Sequence, residues 1–122
     1  MAVGSKPQDA TTAPLADAIR LYRAARERFD SAGLKSAERA FRRLLPERSD
    51  DSETYFYLGA TLATQSRHAE AAVAYTATVS LDPSSHPAAE NLAIALDEAG
   101  RTRQAAAAYE RVLAFQPATD AK

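Results

Sequence analysis

The sequence predicts an all-α chain of three tandem antiparallel helical hairpins stacked as an α-solenoid. Three observations carry that expectation. The chain is self-similar at a shift of 34 positions. Alanine and arginine are abundant, while valine and isoleucine stand singly in alanine-rich surroundings, which favours helices over strands. Short turn-forming connectors separate the periodic segments. The 122 residues are enough for one core and one domain. That domain is expected over 15–119, with repeats at about 18–51, 52–85 and 86–119, a disordered N-terminal tail over 1–14 and a short C-terminal tail over 120–122.

The second and third hairpins carry the period most openly. Tyr55, Leu58, Gly59 and Leu62, then Ala71, Tyr75, Thr78 and Pro83, shift onto Ala89, Leu92, Ala93, Leu96, Ala105, Tyr109, Val112 and Pro117. Within the first helix of the pair, Tyr55, Leu58, Gly59 and Leu62 follow the i, i+3, i+4, i+7 rule of a single helical stripe. Small residues at 59, 93, 71 and 105 fit the point where the two helices of a hairpin cross, with the Tyr75 and Tyr109 rings filling the space beside them. Gly100 stands where a left-handed helix end is needed, and Pro83 and Pro117 end the second helices. Asp50 with Glu53, and Ser85 with Pro87 and Glu90, mark helix starts by an oxygen cap and early acids.

This pattern resembles the tetratricopeptide repeat, which has the same period and the same order of bulky, small, aromatic, small, aromatic and proline positions. The resemblance implies a right-handed superhelix whose first helices line a concave groove. A third copy lies earlier in the chain, where Ala37, Phe41 and Leu44 match the second-helix stripe. Its first helix fits when Gly33 is taken as the turn, which aligns Tyr22, Ala25 and Phe29 with the bulky, small and aromatic places and leaves Arg26 at a small one. Pro46 comes early, so the second helix of this hairpin is expected to be shorter than its counterparts. Irregular end repeats are normal in such stacks, and about three repeats are needed to bury a continuous core.

Chemistry of other kinds finds little support. The chain has no cysteine, so disulfides, thiolate nucleophiles and thiolate metal sites are excluded. Its net charge of −1 gives no overall pull toward nucleic acid or membranes. No stretch approaches the roughly 18 apolar residues of a membrane span, and residues 1–14 lack the apolar core of a secretory signal, so a cytoplasmic setting is expected. His68-Ala69-Glu70 lacks the cysteine pair that completes a zinc deaminase site, and a capping serine accounts for Ser84-Ser85-His86. The four glycines form no phosphate loop, and the acidic groups at 50–53 and 97–98 lack calcium-loop spacing. No catalytic residue, metal or cofactor is expected, and the chain is not expected to be an enzyme.

The resemblance directs attention to the groove side of the first helices. Glu53, Phe56, Tyr57 and Ala60 occupy it in the second repeat, Glu90, Asn91 and Ile94 in the third, and Arg23 in the first. A peptide lying there would find an apolar anchor at Phe56, Ala60 and Ile94 and polar contacts from Asn91, Arg23 and Glu90. Relatives that grip a chaperone's terminal carboxylate use lysines, an arginine and asparagines on this face. Only Asn91 matches, so that clamp is not predicted. The first repeat carries nine Lys or Arg against six acids. That excess fits either a solvated, pair-laced surface or a site for an anion or acidic peptide. The expected partner is a protein or peptide segment, with the chain as adaptor or scaffold. The alternatives are a homo-oligomer stacked through the uncapped last helix, or a binding protein like the secretion chaperones.

Overall fold

The structure is a computed structural model that describes the backbone of residues 7–114 and the side chains of residues 14–114. Six helices follow one another: α1 (Pro7–Glu27), α2 (Ser31–Leu44), α3 (Ser52–Thr64), α4 (His68–Leu81), α5 (His86–Glu98) and α6 (Thr102–Ala114). A 3₁₀ turn over Leu45–Glu47 links α2 to the connector before α3. Each helix packs on its successor, giving the hairpins α1/α2, α3/α4 and α5/α6, and α1 also touches α3. Helix α1 begins at Pro7, inside the segment expected to be a tail. Residues 1–6, Pro117 and the tail at 120–122 lie outside the described residues.

All three hairpins turn by the same backbone device. The amide of the third residue past the helix reaches back five residues, as Asp30 N to Ala25 O (2.9 Å), Arg67 N to Leu62 O (3.0 Å) and Arg101 N to Leu96 O (2.9 Å). The residue before each takes the left-handed conformation: Phe29 (φ 54°), Ser66 (φ 63°) and Gly100 (φ 81°). This is the Schellman arrangement, which satisfies carbonyls that a helix end leaves open. The turn of the first hairpin therefore falls at Phe29 and not at Gly33, which lies inside α2 and donates its amide to the capping Asp30 carboxylate at 3.0 Å.

This overturns two expectations. Phe29 is not part of the packed stripe of α1: it is 93% exposed, and the buried stripe is Leu15, Ala18, Tyr22 and Ala25. Helix α2 is not shortened by Pro46, because it has 14 residues, as α4 does. The buried pair Ala37 and Phe41 still sits 34 residues before Ala71 and Tyr75. Relative to that pair the turn has moved three residues toward the N-terminus, so α2 gains at its start the turn it loses before Pro46. The cap of α3 is likewise one residue later than expected. Asp51 accepts from Glu53 N (3.2 Å) and from the hydroxyl of the fully buried Thr54 (2.7 Å), and Arg48 lies beside it. Ser85 caps α5 as expected, accepting from Ala88 N at 3.2 Å.

The crossing points are packed as the small-residue pattern requires. A Cβ added at Gly59 would lie 2.8 Å from the Tyr75 ring, which is itself held among buried neighbours. Ala71 and Ala93 have no exposed surface. Gly59→Val is therefore predicted to cost about 2 kcal/mol by overpacking, despite the gain in helix propensity over glycine, and thermal denaturation should show a Tm lower by about 10 °C.

A charged knot joins the first two hairpins. Arg67, at the turn of the second hairpin, donates to Glu38 of α2 at 2.6 Å and in two bonds to Glu70 at 2.8 and 2.9 Å. Gln65 (3.3 Å) and Arg42 (3.0 Å) also donate to Glu38, whose side chain is mostly buried. Burial alone would raise the Glu38 carboxyl, but the bonds from Arg67, Arg42 and Gln65 outweigh it and hold the group below its ordinary value of 4.5. Because the folded value is depressed, the stabilisation is present above that ordinary value and lost as pH falls through it and below. Glu38→Gln is predicted to cost about 1 kcal/mol at neutral pH, and the Tm gap from the parent should narrow as pH falls below the ordinary carboxylate range.

Candidate functional site

The residues expected along the first-helix face are brought together in part, and aromatic rings join them. Tyr57, on α3, faces three rings: Tyr22 of α1 edge-on with centroids 6.2 Å apart, Phe41 of α2 stacked at 6.2 Å, and Phe56 edge-on at 5.4 Å. Phe56 continues the run to Tyr75 of α4 at 5.9 Å. Such offset and edge contacts each add to plain area burial by about 1 kcal/mol. Arg23 closes the near end, its guanidinium 5.8 Å from the Tyr57 ring centre and donating to the Tyr57 hydroxyl at 3.1 Å. At the far end the Asn91 side chain acts electrostatically on the Tyr75 hydroxyl. Burial, helped by the nearby Tyr22 hydroxyl, pushes the Tyr75 phenol well above its ordinary range, against the opposing effect of Asn91.

Arg23, Tyr57 and Phe56 thus belong to one continuous row that ends at Tyr75 of α4, with the Asn91 side chain of α5 acting on its hydroxyl. Phe56 is half-buried and touches both parts of the core, and Tyr57 is half-buried in the seam between the first two hairpins. Both rings serve the packing of the stack as well as its surface. Ala60 is half-buried beside them, whereas Glu53 and Glu90 are exposed, and Ile94 is an exposed large apolar residue on α5. The row also includes Tyr22, Phe41 and Tyr75, and next to it Arg26, which donates to the Tyr22 hydroxyl at 3.2 Å and lies 5.1 Å over that ring. The i, i+4 spacing of Tyr22 and Arg26 was the sequence signal for that pair.

No family model matches the chain, and comparison with curated proteins finds no match. Solved structures do match. The Yersinia enterocolitica type III secretion chaperone SycD, in complex with a peptide of the translocator YopD, superposes with a TM-score of 0.66 at 20% identity, over 80% of this chain and 74% of that one. MamA from RS-1, in an ArsTM double mutant, gives 0.64 at 21% identity, over 84% and 58%. The O-GlcNAc transferase of Thermobaculum terrenum, as the K341M mutant, gives 0.66 at 25% identity, over 93% of this chain. The chain spans 58% of the MamA chain and 21% of the transferase chain. With six described helices in three stacked hairpins, the molecule is a helical-repeat solenoid of the tetratricopeptide type. Among the described residues, no helix is long and apolar enough to cross a membrane.

Proposed function

We propose that this chain is a protein-interaction module that takes a peptide or protein segment along the concave side of its first helices, as adaptor or scaffold. The observation that carries this is the row of rings from Tyr22 to Tyr75, together with an exposed large apolar residue, Ile94, which is 45% exposed on the first helix of the third hairpin. An apolar side chain of a ligand gains contact with Ile94, Ala60 and the accessible edge of Phe56, while Arg23, Glu53, Glu90 and Asn91 offer polar partners around it. SycD, a neighbour in fold, holds a peptide of YopD, which supports binding as the role of this kind of stack. The reading makes the chain a binding protein and not a catalyst.

A self-association reading is favoured by one separate feature. On α6, Leu113 is 62% and Tyr109 37% exposed, an apolar surface that another hairpin would cover. A displayed-peptide selection on the immobilised chain separates the two readings. Enriched peptides should bind the parent, and Ile94→Asp should weaken them by about tenfold, or about 1.4 kcal/mol, with Leu113→Asp without effect. Equal binding by the parent and by both Ile94→Asp and Glu90→Arg would overturn the groove assignment and leave the fold untouched.

A further inference from the structure

The first hairpin turn holds a feature that neither folding nor the groove uses. A left-handed turn position favours glycine, since a side chain there meets the following carbonyl. The third hairpin has Gly100 and the second has the small Ser66, but the first has Phe29, the most exposed large apolar residue of the described chain. Its ring stabilises nothing by burial, and its backbone conformation costs stability. Strained, exposed aromatics of this kind concentrate at recognition sites.

Phe29 lines an open groove of about 680 Å3 between the first and second hairpin turns, lined also by Leu34, Arg26, Lys35 and Arg67. The charged lining residues are all cations. Arg67 is already held by Glu38 and Glu70. Arg26 is held by the Tyr22 ring and hydroxyl, and among the described residues neither Arg26 nor Lys35 forms an ion pair. The buried Leu34 and the exposed Phe29 are the large apolar residues of the lining, beside these charges.

We infer that this turn edge is a second docking site, distinct from the first-helix face, for an acidic protein segment that carries a large apolar side chain. The apolar side chain packs against Phe29 over Leu34, and flanking carboxylates meet Arg26 and Lys35. A uniformly charged partner would satisfy the cations without Phe29, and an uncharged one would leave the cations unpaired, so the groove selects both features in one segment.

The probe is a fluorescein-labelled peptide of Glu and Asp residues around a central Leu-Trp pair, with an equally acidic Gly-Ser version as control. Fluorescence anisotropy on the full chain should show saturable binding that weakens as salt rises. The control peptide, Phe29→Gly and Lys35→Glu should each lower affinity by about tenfold. Phe29→Gly relieves the turn, so its Tm should rise while binding falls, which separates loss of the site from loss of the fold. Ile94→Asp should leave this binding intact, so failure of the groove reading and failure of this one are distinguishable. Absence of saturable binding, equal binding of the two peptides, or unchanged affinity in Phe29→Gly would overturn the proposal. So would sedimentation showing that Phe29→Gly instead abolishes self-association of the parent, because the occupant would then be a second copy.

Discussion

Tyr57 stands where two hairpins meet, with Tyr22 and Phe41 of the first hairpin on one side and Phe56 of its own helix on the other. A helical hairpin cannot bury its apolar face alone, so each repeat is stable only through its neighbour. Between α4 and α5 that demand is met largely by small and aliphatic side chains, such as Val79, Ala88 and Ala89, drawn together closely. Between the first and second hairpins it falls to large rings, with the Glu38–Arg67 ion pair on the flank of the seam. The Arg23 guanidinium lies over the accessible side of the Tyr57 ring. The same ring therefore holds the stack together and forms part of the surface offered to a partner.

The hairpins themselves are set by one residue in the left-handed conformation at each turn. Ser66 and Gly100 lie 34 residues apart, but Phe29 and Ser66 lie 37 apart. The three-residue displacement leaves the core pair Ala37 and Phe41 in register while moving the turn around it. Helix α2 keeps its length, Leu44 still packs on the core, and the 3₁₀ turn with Pro46 takes up the change of direction. The cost is a phenylalanine where glycine fits best, and that cost gives the first turn its distinct surface.

This displacement also explains which parts of the molecule were legible in the sequence. Leu58, Gly59, Ala71, Tyr75 and Ala93 were legible because crossing helices demand small residues and rings at fixed spacing. Turns marked by Gly100 and Ser85 were legible because their backbone chemistry is nearly unique to those residue types. Phe29 was misplaced because the left-handed site normally announces itself by glycine, and Gly33 lay close enough to draw the assignment. Cap choice at Asp50 or Asp51 depended on Thr54 turning its hydroxyl inward, which no local pattern shows. The sequence pattern assigns Phe56 and Tyr57 only to a helix face, because their use as packing depends on rings from three other helices.

The dependence of the stack on the Tyr57 seam is tested most directly by native-state hydrogen exchange on Tyr57→Ala. Loss of this ring should uncouple the first hairpin, so that amides of α1 and α2 open at a free energy lower by about 3 kcal/mol while those of α4, α5 and α6 keep most of their protection. Equal loss of protection across all six helices, or none in α1 and α2, would contradict a seam that joins the first hairpin to the rest.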